Sequence, residues 1–211
     1  MPESPEIFFV HPFKLPSEHA HGIQILRTCD ALAQEGARVR LPVKRNPERP
    51  VADLAEALAR YGLAPREGLD VTWLPTSHKG IAGVALRAKI LAARGRPLFY
   101  VRQLRLAPLC ARRGPTVVEL HALEDDAERA VRVADGVVTI THALAGAVQE
   151  RFRPRGPVAV IPDAFDPGTF REVSAPGVPR AVYMGQLMPW KGVDVLLRAL
   201  ARVPGLPALV I

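Results

Sequence analysis

Short apolar runs and amphipathic stretches take turns along almost the whole chain. Runs at Ile7–Val10, Val39–Val43, Val71–Leu74, Leu98–Val101, Thr116–Leu120, Gly136–Ile140 and Val158–Ile161 are continuous and rich in β-branched or aromatic residues. Strict alternation is absent, which is how strands covered on both faces of a parallel sheet read. Between the runs, apolar residues recur at three- and four-residue steps. Ile25, Cys29 and Leu32 form one such stripe, and Leu144, Val148 and Phe152 another, each predicting a helix. Gly36 stands where the first of these helices needs a C-terminal cap, and Thr141 where a helix from about His142 needs an N-cap. Repeated strand–helix alternation predicts an α/β fold with a doubly wound parallel sheet.

The rhythm breaks near Pro162. The stretch from Pro162 to Pro179 holds four prolines and two glycines and has little periodicity, the composition of an interdomain connector. The pattern then restarts with a strand at Ala181–Met184, a helix from about Gly192 to Val203 and a strand at Ala208–Ile211. Val193, Leu196, Leu197 and Leu200 form that helix's apolar stripe. The expected organisation is a first domain over residues 1–162, a hinge over 163–179 and the opening strand–helix–strand of a second α/β domain over 180–211. One such unit leaves its sheet edge and apolar face uncovered, so the second domain is expected to be incomplete.

Composition narrows the class. With 211 residues, 48% of them apolar and 23% charged, the chain can bury a core. No apolar run approaches the roughly 18–20 residues of a membrane span. The opening Met1-Pro-Glu-Ser-Pro-Glu is the opposite of a signal peptide, which points to a cytoplasmic protein. Cys29 and Cys110 lack metal-ligand spacing and read as two reduced, packed thiols. Charge is unevenly placed. From Val71 to Val118 there is no acid but nine cations: Lys79, Arg87, Lys89, Arg94, Arg96, Arg102, Arg105, Arg112 and Arg113. Gathered on one face, they would suit an anionic membrane surface or phosphates. The alternative is an ordinary solvated helix face. Few aromatics interleave with them, which argues against nucleic acid.

Four ordered segments carry a family resemblance. They are His19-Ala-His-Gly-Ile-Gln leading into the helix before Val39; Val118-Glu-Leu-His121 with the Ala134–Leu144 strand and helix; Val160-Ile-Pro-Asp-Ala-Phe-Asp166 with Phe170; and the strand, glycine turn, lysine-glycine pair and helix of Ala181–Leu200. Together this set resembles the retaining glycosyltransferases of family 4, whose GT-B fold has two facing Rossmann-like domains. The resemblance implies sugar transfer from a nucleotide-sugar donor, with retention, to an acceptor sugar or phospholipid-linked acceptor. It also implies chemistry without a metal or other cofactor, and domain closure to assemble the site. The first domain would take the acceptor and the second the donor.

The resemblance assigns His121 to the transferred sugar as a catalytic residue, at the carboxyl end of a strand where open α/β sheets bind ligands. Gly185 and Lys191 would hold the donor diphosphate beside a helix N-terminus, with Gln186 where the family usually has arginine. Gly22 would let the first loop approach the donor's leaving phosphate or the acceptor. His21 and Arg102 are the acceptor-side candidates, with His11 and His19 nearby. For each residue a structural role stays open: a solvated cation at Lys191, a packed ring at His121, loop histidines elsewhere. Asp163 and Ala164 replace the family's Asn-Gly, so the hinge backbone must avoid the left-handed region. Glu124, Asp125 and Asp126 read as favourable charge in the first turn of a helix rather than as a metal site. The family's donor-side glutamate pair would lie beyond Ile211, so the chain alone is expected not to turn over. Two other functions stay open: a non-catalytic module binding anionic membrane or polymer through its basic window, and another GT-B enzyme such as a sugar-nucleotide epimerase.

Overall fold

The computed structural model describes residues 4–76, 80–165, 180–203 and 205–210. Two compact units divide the chain, Met1–Ala164 and Phe165–Ile211. Most of the expected 163–179 hinge, with Asp166 and Phe170, lies outside the described residues.

Each of the seven apolar runs of the first unit forms a strand. They are β1 (Glu6–Val10), β3 (Arg38–Arg45), β4 (Leu69–Leu74), β5 (Leu98–Val101), β6 (Thr116–Leu120), β7 (Gly136–Thr139) and β8 (Val158–Val160), with a two-residue β2 (Lys14–Leu15) besides. Every ladder is parallel. Across the sheet the order is β4-β3-β1-β5-β6-β7-β8. Lys44 pairs with Lys14 and with Leu74, so β2 extends along β3 on the edge that β1 also uses. The helices are α1 (Ala20–Gln34), α2 (Leu54–Ala59), α3 (Ile81–Leu91), α4 (Ala107–Cys110), α5 (Ala127–Val133) and α6 (His142–Phe152).

Alternation along each strand divides the core between two sheet faces. Ile7 and Phe9 of β1 join Ile25, Leu26 and Cys29 of α1 in one cluster. Phe8 and Val10 join Phe99, Val101, Val118, Leu120 and Cys110 in the other. Both faces of β1 are therefore dry, which explains its unbroken apolar run. The expected caps are present. The Thr141 hydroxyl accepts from the Leu144 amide at 3.1 Å, and Gly36 takes φ +89° just after α1. Asp163 and Ala164 stay out of the left-handed region, which among the described non-glycine residues only Arg96 and Arg153 enter.

In the second unit, β9 (Ala181–Tyr183) pairs in parallel with β10 (Ala208–Val210). A 3-10 turn at Pro189–Lys191 leads into α7 (Val193–Leu200). Val193 is buried, whereas Val195, Leu197 and Trp190 are more than half exposed.

Candidate functional site

From β1 the chain moves to β3 on one side and later returns to β5 on the other. This reversal is the switch point at which open parallel sheets bind ligands, beyond the carboxyl ends of the strands. His11 follows β1, Arg102 follows β5, His121 follows β6, and α1 starts beside them at Ala20. The amides of Arg102 and Gln103 both donate to the Val10 carbonyl, at 3.2 and 3.0 Å, tying the ends of β1 and β5 together.

The two-residue period of a strand places Tyr100 with Arg102, and Glu119 with His121, on the face covered by α1. Extending the Tyr100–Val117 and Val101–Val118 register by one step sets Arg102 opposite Glu119. The Arg102 Nε lies 3.3 Å from Glu119 Oε1, and both side chains are less than a tenth exposed. Tyr100 donates to Glu119 Oε2 at 2.6 Å, and His121 Nε2 meets Oε1 at 2.5 Å. Arg102 Nη1 also donates to the Gln24 side-chain carbonyl at 3.0 Å, while the Gln24 amide donates to Asp163. One polar chain therefore runs from Tyr100 through Glu119, Arg102 and Gln24 to the segment after β8.

A carboxylate with three donors around it is stable in this buried place. Burial alone would push the Glu119 pKa up. The hydrogen bonds from His121 and Tyr100, with the charge of Arg102, outweigh that and hold it below the usual carboxylate value. Burial and the neighbouring Glu119 charge push the Tyr100 hydroxyl far up, so it remains a donor. Because ionised Glu119 only accepts, His121 Nε2 must carry the proton and Nδ1 is left as the ring nitrogen for a ligand. His121 is a quarter exposed, at the mouth of an otherwise closed network.

The three loop histidines gather at this mouth. The rings of His19 and His21 stack at 5.5 Å, and His11 meets His21 edge-on at 5.5 Å. Burial, then the charges of Arg102 and His21, lower the His11 pKa from 6.5 to about 4. Its Nδ1 is buried without a hydrogen-bond partner among the described residues. Burial, His19 and Arg102 also lower the His21 value. Both rings are thus held toward the neutral form, so His21 meets a ligand as a hydrogen-bonding ring more than as a cation. The N-terminus of α1 has no side-chain cap and no acid in its first turn, which leaves its positive end open toward the mouth. Gly22 is buried inside that turn. A β-carbon there would come within 2.9 Å of Ser17 Cβ and 3.0 Å of Phe13, so the chain's own loop occupies the space that the glycine leaves.

In the second unit the structure brings Gly185 and Lys191 together. Gly185 has φ +148°, and a β-carbon on it would lie 3.5 Å from Lys191 Nζ and 3.4 Å from the Tyr183 hydroxyl. Tyr183 closes the turn by donating to the Gln186 carbonyl at 2.8 Å. Gln186 thus contributes backbone to the turn while its side chain is exposed. Lys191 Nζ sits 5.4 Å from the Trp190 ring centre. The first turn of α7 carries Asp194, engaged by Arg198 at 2.5 Å.

No family model and no curated protein matches this sequence. Among solved structures the chain is similar to sucrose-phosphate synthase from Thermosynechococcus elongatus, with a TM-score of 0.68 and 15% identity. The match covers 98% of this chain and 62% of that one, so the chain spans less than two thirds of its neighbour's length. A likeness at that identity is one of fold, and it shows the Rossmann-like sheet of a GT-B domain.

Several sequence-predicted residues stand elsewhere than expected. The eight described cations of the basic window do not all share a face. Arg102 is inside the polar chain, Arg105 lies beside the Gln103 amide, Arg87 and Lys89 ride on α3, and Lys79 is outside the described residues. Arg94, Arg96, Arg112 and Arg113 line a cleft in the turns before β5 and β6, at the amino ends of the strands. Glu124–Asp126 precede α5 rather than lying in its first turn. Among the described residues no three His, Cys, Asp or Glu side chains converge as metal ligands, and no helix is long and apolar enough to cross a membrane. Cys29 and Cys110 are free and buried in different clusters. Sequence reasoning missed Glu119, Gln24 and Tyr100 altogether and gave Asp163 no partner. The available signal was Glu119 itself, a carboxylate inside an otherwise apolar parallel strand.

Proposed function

We propose that this chain is the acceptor-side domain, with the first edge of the donor-side domain, of a glycosyltransferase that uses a nucleotide-sugar and retains anomeric configuration. The observation that carries the reading is the polar chain at the switch point. A buried Arg102–Glu119 pair fixes His121 with Nδ1 facing the mouth, while His21 and the open end of α1 flank it. Such a mouth can hydrogen-bond sugar hydroxyls through neutral rings and accept a phosphate at the helix end. Arg102 is a positioning residue in this reading, because two of its donors already hold Glu119 and Gln24. The GT-B likeness supports the same class. Gly185 and Lys191 are proposed to hold the donor diphosphate, with a β-carbon's worth of space between them and Gln186 acting through its backbone. The acceptor is a sugar or a phospholipid-linked sugar, and no cofactor takes part.

Saturation-transfer NMR on the chain with a panel of nucleotide-sugars and sugar phosphates tests the proposal. Saturation of sugar protons that weakens about tenfold in His121→Ala is expected, with diphosphate affinity falling in Lys191→Met. Nucleotide release is read in parallel, and the configuration of any product tests retention. Release that needs no acceptor would favour an epimerase or hydrolase, and no binding of any sugar ligand would end the reading.

A further inference from the structure

At the amino ends of the strands, opposite the switch point, the turn before β5 and the turn before β6 border an open cleft of about 540 Å³. Arg94 and Arg96 come from the first turn, Arg112 and Arg113 from the second. The two turns are locked together. The Phe99 amide donates to the Pro115 carbonyl at 2.8 Å. Arg113 Nη2 reaches across to the Ala93 carbonyl at 3.3 Å. A β-carbon on Gly114 would stand 2.7 Å from the Pro97 carbonyl oxygen, so only glycine lets the turns approach this closely. Arg96 holds φ +51° and Gly95 φ +77°, a left-handed pair that costs an arginine backbone strain.

The charge is uncompensated. Arg94, Arg96 and Arg112 make no ion pair or side-chain hydrogen bond to another described residue. The Glu6 carboxylate, whose Oε2 would lie 3.5 Å from a β-carbon on Gly95, is already paired with Arg40. Asp135 accepts from the Thr116 amide at 2.9 Å. Four arginines around one cleft gather positive charge there, and an anion neutralises it. Their planar forks match phosphate oxygens two at a time, and the volume suits a small ligand.

We infer that this cleft binds a phosphate-bearing anion. Two sources share that chemistry, a soluble diphosphate and the phosphate of a lipid headgroup. The site lies at the other end of the strands from the His121 mouth and does not depend on the sugar-transfer reading.

The test uses the whole 211-residue chain, with pyrophosphate titrated calorimetrically and, in a second arm, sedimentation with phosphatidylglycerol vesicles. The cleft variant is Arg96→Gly with Arg112→Ala, because glycine accepts the left-handed backbone and both side chains are exposed. Arg87→Ala with Lys89→Ala removes equal charge from α3. Saturable pyrophosphate binding that falls at least about tenfold in the cleft variant, and less than about twofold in the α3 variant, supports a soluble ligand. Arg112→Lys should recover only part of it, since it restores charge without the fork. Vesicle binding that the cleft variant loses and pyrophosphate displaces supports a lipid headgroup. Equal loss in both double variants, loss in His21→Ala or Lys191→Met instead, or no saturable binding in either arm overturns the inference.

Discussion

Replacing Glu119 by glutamine keeps the shape of the side chain and removes its charge, leaving the Arg102 guanidinium buried without a counter-ion. The Glu119 and Arg102 side chains are 7% and 9% exposed, so water cannot substitute. Removing one member of such a pair costs about 3–5 kcal/mol, a large part of the ~5–15 kcal/mol that holds a typical domain. Arg102→Gln should cost about as much, by stranding Glu119. The double variant should then lose less than the sum of the two singles, by up to about 3 kcal/mol of coupling. Urea unfolding in a Trp190→Phe background is the assay, because Trp73 of β4 then reports on the first unit alone. Singles that each cost under about 1 kcal/mol, within the range of exposed pairs, would refute the buried-pair argument. Strict additivity would refute it equally.

Three further outcomes follow from the same geometry. The His11 pKa falls from 6.5 to about 4 on folding, so the unfolded chain binds the proton first: the associated stability is present above pH 6.5 and lost as pH falls toward 4. At ~1.4 kcal/mol per unit this amounts to roughly 3 kcal/mol, and His11→Asn should flatten the stability–pH curve in that window. Gly22→Ala should lower Tm by the equivalent of about 1–3 kcal/mol of overpacking against Ser17 and Phe13, outweighing the ~1 kcal/mol that alanine gains in a helix. Cys29 and Cys110 should ignore a thiol reagent in the native chain and react in urea. Burial pushes the Cys29 thiol well up, and the Cys110 thiol to about 12, so neither supplies thiolate at neutral pH.

Which parts of this were legible beforehand follows from what periodicity encodes. Runs such as Ile7–Val10 and Thr116–Leu120 could be read because strands dry on both faces must be apolar throughout. Thr141 and Gly36 could be read because caps have local chemistry. Two-residue β2 and four-residue α4 are too short to show a period. The basic window misled because sequence proximity does not say which end of a strand a residue reaches. Arg96 and Arg102 are six positions apart, but β5 lies between them, and at ~3.3 Å per residue it carries them to opposite ends of the strands. Gln24 and Asp163 lie far apart in sequence, so their bond was visible only once the sheet was assembled. At Gly22 the close neighbours are Ser17 and Phe13 of the preceding loop, a packing contact that no local pattern in the sequence announces.

The central claim is that the switch-point mouth presents His121 Nδ1 to a sugar while Glu119 holds Nε2. Long-range ¹H–¹⁵N NMR of the histidine-labelled chain, titrated with nucleotide-sugars and sugar phosphates, tests this most directly. The account predicts an Nε2-protonated His121 whose Nδ1 resonance moves saturably with a sugar ligand while Nε2 stays nearly fixed. An Nδ1-protonated ring, or a His121 signal unmoved by every sugar ligand at millimolar concentration, would contradict it.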